Sequence, residues 1–215
     1  MMSKLVSLIL CFIVFFPALA TAHVVFEPDW VGQEGTTFAD WSFSEESTYT
    51  LPEQVTNPYG TATASVTIGD LGEGWLASLP GVGTQTGLLD LGGAGGSLVL
   101  DIDNRKEPLP YKEIWVQVTY LLEPSQQPTV DIAGATLLDE QWVVIEPGVL
   151  GEWYLYFSKW RIEPNPPHEQ IVLTSDPMWG SILDQVAVHT ICIPEPTSLG
   201  LLAFGGLVFL RKRRK

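Results

Sequence analysis

From Glu113 the chain reads Glu113-Ile-Trp-Val-Gln-Val-Thr-Tyr-Leu-Leu122, and Ile114, Val116, Val118, Tyr120 and Leu122 fall on one side of a period-two pattern. Alternation of this kind is the mark of a strand with one buried face. Thr129–Ile132, Gln141–Ile145, Trp153–Trp160, Gln170–Thr174 and Ile182–Ile191 read likewise, rich in β-branched and aromatic residues. Phe38–Phe43, Ala62–Ile68, Gly87–Leu91 and Ser97–Ile102 add four strands upstream. Turn-forming sequences stand between them: Asn57-Pro-Tyr-Gly60, Gly72-Glu-Gly74, Gly92-Gly-Ala-Gly-Gly96, Glu146-Pro-Gly148 and the Pro-rich Glu163–His168. No long stretch carries a 3.6-residue apolar period. Nine or ten short strands in residues 23–193 predict an all-β, two-sheet β-sandwich.

The two ends break this pattern. Residues 1–22 open with Met1-Met-Ser-Lys4, run apolar from Leu5 to Phe16 and close on Ala20-Thr-Ala22, the form of a secretory signal peptide cleaved after Ala22. Twelve apolar residues are too few for a bilayer span, which takes roughly 20. Cys11 leaves with this segment. At the other end Pro194-Glu-Pro-Thr-Ser198 precedes the apolar stretch Leu199–Leu210 and the basic Arg211-Lys-Arg-Arg-Lys215. As a helix the stretch covers about 18–20 Å at 1.5 Å per residue, short for a bilayer core, with cationic stems able to cover some mismatch. Cations directly after it hold that end on the cytoplasmic side. The expected orientation is domain outside, tail inside, with the apolar stretch as a short transmembrane helix.

The order Pro-Glu-Pro, short apolar helix, basic cluster resembles the PEP-CTERM sorting signal of Gram-negative bacteria. The resemblance covers residues 194–215. It implies recognition of Pro194, Glu195 and Pro196 by exosortase, a membrane-embedded cysteine transpeptidase that cuts near the motif and sends the protein to the cell surface or beyond. The chain then passes the inner membrane, is anchored there transiently, and accompanies exopolysaccharide and biofilm production. A tail anchor that is never cut is the alternative. Pro28–Thr37, Asn57-Pro-Tyr-Gly60 and the final strand from Gly180 to Thr190 look like other PEP-CTERM ectodomains, and a jelly roll of the galactose-binding-like kind is the expected topology. Cys192, two residues before Pro194, reads as a small apolar residue closing the last strand, or as a thiol open to intermolecular pairing.

Composition narrows the function. The chain is 46% hydrophobic and 17% charged, which excludes a disordered polymer. Its net charge of −14 argues against nucleic acid, whose phosphates are bound by clustered lysine and arginine. Lys4 and the five tail cations fall outside residues 23–193, which keep five basic residues against 24 acidic ones, a formal charge near −19. Such a surface repels polyanions, with divalent cations as conceivable bridges to acidic polysaccharide.

Patterns for catalysis are missing. No nucleophile elbow, zinc spacing or P-loop lysine is present. His23 becomes the first residue after cleavage, as in copper-dependent polysaccharide monooxygenases, and would need His168 or His189 as partner. Asp101 and Asp103 share one face of a strand end and, with Asp184, are candidates for structural calcium; solvated acids beside a turn are the plainer reading. All eight tryptophans lie in the exported domain. Trp30, Trp75 and Trp179 sit beside glycine or proline and are the candidates for exposure and sugar stacking. The expected protein is a non-enzymatic surface protein with a carbohydrate-binding face; a secreted glycosidase or copper monooxygenase is the alternative. Replacing Glu195 is expected to leave an unprocessed, membrane-retained form, visible as a heavier band in the membrane fraction on an immunoblot.

Overall fold

A computed structural model describes residues 26–107 and 109–193. Within them the chain forms twelve strands: β1 (Thr36–Trp41), β2 (Gln54–Thr56), β3 (Ala62–Thr67), β4 (Gly74–Ser78), β5 (Thr86–Asp90), β6 (Ser97–Asp103), β7 (Tyr111–Leu122), β8 (Thr129–Ile132), β9 (Ala135–Pro147), β10 (Glu152–Ile162), β11 (His168–Thr174) and β12 (Ile182–Ile193). They make an all-β sandwich of two antiparallel sheets. The larger has eight strands, in the order β2-β1-β12-β7-β10-β9 with β5 also beside β12 and β4 beside β5; the smaller has four, in the order β3-β6-β11-β8. The expected signal helix, with Ala20 and Ala22, lies outside the described residues. So do His23, Pro194, Glu195, Pro196, the apolar helix and the basic tail.

The alternation in β7 explains the layering. Ile114, Val116, Val118 and Tyr120 point between the sheets and join one core with Trp41 of β1, Leu98, Leu100 and Ile102 of β6, Ile171 and Leu173 of β11, and Val186 and Val188 of β12. A second, smaller cluster of Val82, Leu88, Leu121 and Trp153 sits on the opposite face. In β12 every residue from Leu183 to Cys192 is buried, because small-sheet strands cover one face and the folded-back chain covers the other. Such a strand reads as a continuous run rather than an alternation.

Two strands escape the sequence pattern. β2 is three exposed residues at a sheet edge, with no burial to force alternation. β4 begins at Gly74, inside a triplet that reads as a turn. β9 is longer than its apolar centre predicts. It is the outer edge strand, exposed along most of its length, so Asp139 and Glu140 are tolerated within it.

The sandwich has two poles. At one, called the exit pole, β12 ends beside the start of β7, with Ile193 opposite Tyr111. The ends of β6 and β10 and the start of β11 meet there. Here Lys112 of β7 reaches across the core to Glu169 of β11, Nζ to Oε1 2.6 Å, both side chains fully buried. Desolvation raises the Glu169 carboxyl above its ordinary value, opposed by the ammonium beside it. Removing one partner of such a pair strands a buried charge; removing both does not. Lys112→Ala is therefore expected to destabilise the domain by about 3–5 kcal/mol, and Lys112→Met with Glu169→Leu to restore at least the starting stability. Urea denaturation of the two variants checks both signs.

Candidate functional site

At the opposite pole, four loops converge around a cavity of about 370 Å³. They connect β3 to β4, β5 to β6, β7 to β8 and β11 to β12. Asp70, Asp90, Pro124, Trp179 and Ile182 contribute to its wall. Trp179 is 63% exposed, Met178 77% and Leu71 fully, a density of bare apolar surface unusual for one loop cluster.

The loops are held by their own backbone. Asp176 Oδ1 accepts from the backbone N–H of Met178 at 2.9 Å and of Trp179 at 2.7 Å. Local bonding of this kind fixes a turn without help from neighbours. Gly180 follows at φ +73°, a conformation other residues adopt only at a cost, and a Cβ there would meet the Gly92 carbonyl oxygen at 3.0 Å. Ser175 Oγ donates to that same carbonyl. Across the cavity Gly93 N–H bonds the Asp70 carbonyl at 2.7 Å, and Asp70 N–H the Ala94 carbonyl at 3.0 Å. The Asp90 carboxylate accepts from Glu73 and Gly92 N–H groups, so it serves the frame. The Asp70 side chain is exposed and lines the same cavity as Trp179.

A second depression, also about 370 Å³, lies on the outer face of the large sheet between Trp115, Phe157, Leu155, Val143, Gln141, Asp139 and Lys159. The residues before β1 fold over this face. Phe26 is bound through both backbone groups by the Gln117 amide, at 2.6 and 2.8 Å. Trp30 packs edge-on against Trp115, centroids 5.7 Å apart, and against His189 at 6.4 Å; His189 in turn stacks on Phe38 at 4.4 Å. Lys159 Nζ stands 5.6 Å from the Trp115 ring. This is packed aromatic surface, not an open stacking platform. His189 is 2% exposed, and its Nε2 has no hydrogen-bond partner among the described residues.

Of the three tryptophans expected to be exposed, only Trp179 is. Trp30 is half-buried by the fold-back, and Trp75 lies in β4, half-buried against the core with Nε1 donating to the Phe43 carbonyl at 2.6 Å. Trp142, on edge strand β9, is 47% exposed and was hidden in an apolar run; only its place at a sheet edge frees it. Asp101 and Asp103 do share the outer face of β6, but each is engaged. Asp101 accepts from Gln170. Asp103 accepts from the Thr61 N–H and hydroxyl at 2.8 and 3.0 Å, which hold its carboxyl below the usual range. Asp184 lies on the other sheet, in β12, so the three calcium candidates do not meet. His168 and His189 are likewise on different sheets. Among the described residues no group of three or more His, Cys, Asp or Glu is arranged to hold a metal ion. Cys192 is buried, its thiol directed to Asn104 Oδ1 at 3.0 Å and pushed upward in pKa by burial. It closes the last strand from the inside.

Beyond Ile193 the chain carries its second functional element. Residues 193–215 match the PEP-CTERM protein-sorting motif. The chain carries a PEP-CTERM sorting signal. That motif implies export, membrane-anchored sorting to the cell surface and processing by exosortase. It abuts the fold directly, since Ile193 is also the last residue of β12. No curated protein and no solved structure matches the chain.

Burial pushes the His189 imidazole down to about 4 from an ordinary 6.5. Between these values the unfolded chain binds a proton that the folded one refuses. The stability tied to His189 is therefore complete above pH 6.5 and declines as the pH falls toward 4, by up to about 3 kcal/mol at 1.36 kcal/mol per pH unit. The Tm of the wild type is expected to fall more steeply than that of His189→Gln between pH 7 and pH 4.5, measured by scanning calorimetry.

Proposed function

We propose that this is a non-enzymatic surface protein whose distal pocket binds a neutral carbohydrate, and that exosortase places it where that carbohydrate is found. The observation that carries the reading is the exposed Trp179, in a turn whose backbone Asp176 holds, lining one cavity with the exposed Asp70 carboxylate. An aromatic face takes the apolar C–H side of a pyranose, and a carboxylate oxygen accepts from two neighbouring hydroxyls. A preformed, shallow, partly apolar site with few polar groups is what a sugar requires. The two-sheet architecture supports kinship with jelly-roll modules of the galactose-binding-like type.

The charge of the domain narrows the ligand. Near −19 overall and acidic around the pocket, it disfavours uronate-rich or sulfated chains and favours neutral hexose polymers of an extracellular matrix.

Trp179→Ala is expected to weaken binding of the purified domain to neutral exopolysaccharide at least tenfold while leaving Tm unchanged, because the side chain packs on little. Affinity electrophoresis or a glycan array measures the first and calorimetry the second. Unaltered binding in Trp179→Ala rejects the pocket. Release of soluble product from a polysaccharide, abolished by one carboxylate substitution, rejects the non-enzymatic reading.

A further inference from the structure

We infer that the open edge of β9 pairs with the same strand of a second copy, giving a two-fold dimer in which the two large sheets run on into one another and Trp142 lies opposite its own counterpart.

β9 is an edge of a kind that folded sheets usually guard. The other edge strands among the described residues are short: β2 has three residues, β8 four, β4 five and β3 six, against thirteen in β9. β10 takes one side of β9, and among the described residues no strand pairs with the other. β9 holds no lysine, and its one proline is its last residue, Pro147, so two common guards against edge pairing are missing. Its remaining guard is a pair of bulges, at Leu138 and Ile145, where the register with β10 shifts. Between them residues 139–144 pair with β10 without a break and offer a straight edge.

That edge is apolar where nothing covers it. Trp142 and Val144 lie opposite Tyr156 and Tyr154 of β10, on the face that carries the core, yet both are nearly half exposed. Val143, on the other face, is exposed to a similar degree. Trp142 is also held in place: its Nε1 donates to Gln127 Oε1 at 2.5 Å, and its ring stands 5.4 Å from that of Tyr156. An exposed aromatic already fixed in position loses little freedom when a partner covers it.

The register identifies the partner as a second copy. A two-fold axis normal to the sheet joins antiparallel strands and keeps each face on its own side, so the central residue must lie opposite itself. Asp139 or Glu140 at the centre would set a carboxylate against its copy, which is unfavourable. With Gln141 there, the two Glu140 side chains share a face only about 7 Å apart along the strand. Val143 or Val144 would bring the Ile145 bulge within two residues of the axis. Trp142 avoids all of these. Gln141 then falls opposite Val143 and Glu140 opposite Val144, every pair lies between the bulges, and the two tryptophans form an aromatic cross-strand pair. The Glu140 carboxylates then stand about 14 Å apart along the strand, beyond the roughly 8 Å screening length at physiological salt. The strand is complementary to itself in this one register.

Sedimentation velocity and cysteine cross-linking of the exported protein, purified from the cells that make it, test this. A short edge makes an interface of the weak class, so the wild type is expected to pass from monomer to dimer between about 1 and 100 µM, and more readily at high salt, which screens the acidic domains from one another. Trp142→Lys sets two cations against each other at the axis and is expected to stay monomeric over that range with an unchanged circular dichroism spectrum. A wild type that stays monomeric, or a folded Trp142→Lys that dimerises as well as the wild type, overturns the inference. Single cysteines in a Cys192→Ser background read the register without needing the lysine variant to fold. Trp142→Cys is expected to give a disulfide-linked dimer on oxidation, its two thiols being directly opposite. Gln141→Cys and Val143→Cys are each expected to stay unlinked alone, their copies lying diagonally beyond disulfide reach, and to link to one another when mixed. Self-linking of Gln141→Cys or Val143→Cys, with none in Trp142→Cys, overturns the inference.

Discussion

The placing of the last strand in the middle of the large sheet governs the rest of the structure. β12 holds β1 on one side and β7 on the other and also contacts β5. Until residues 182–193 are available, the first strand has only the short β2 to pair with, and the outer face has no centre. Most of the pairing is therefore long-range in sequence, the kind of topology that folds slowly because loop closure precedes any gain in contacts. In a chain whose sorting motif starts at Ile193, the same residues that complete the fold also end it. Folding and sorting thus share a boundary, with no linker between them.

The second organising feature is the fold-back ahead of β1. The large sheet is twice as broad as the small one, so the small sheet covers only one side of its central strands. The outer side carries Phe38, Trp115, Phe157 and His189, and without a cover these would be a large exposed apolar patch. Phe26 and Trp30 supply part of the cover. Gln117 is the hinge of this arrangement, since its single amide satisfies both backbone groups of Phe26. Burying His189 under that cover is why its imidazole stays neutral well into acid. The lectin-like abundance of tryptophan in the sequence is largely accounted for here and in the core, where Trp41, Trp153 and Trp160 are buried.

The strands of the core were legible in the sequence because burial on one face imposes period two, as in β7 and β6. Where burial is absent or two-sided the signal fades: β2 has no buried face, and β9 lies in the open. The sorting motif was legible because it is linear; an enzyme reads it residue by residue. The distal pocket was not. Its wall comes from four loops that only the sheet order brings together, and Trp179, Asp70 and Gly92 carry no spacing that would tie them. Trp30 and Trp75 looked as free as Trp179 beside their glycines and prolines. What separates them is the Asp176 turn, which pushes Trp179 outward, and the Phe43 carbonyl, which draws Trp75 in.

Charge follows the same two poles. The five lysines and arginines of residues 26–193 are Arg105, Lys106, Lys112, Lys159 and Arg161, and all lie in the half of the sandwich nearer the exit pole. Arg105 meets Glu34 and Glu107, and Glu113 takes both Lys159 and Arg161. Acids still outnumber bases there, with Asp101, Asp103, Asp139, Glu163 and Glu169 besides these three, but ion pairs take up part of the excess. The distal pole carries Glu45, Glu46, Asp70, Glu73, Glu123 and Asp176 with no lysine or arginine near them. Across roughly 8 Å of screening length at physiological salt, each pole feels mainly its own charges. The uncompensated acidity is therefore greatest around the distal cavity, and at the exit pole it is partly offset by ion pairs.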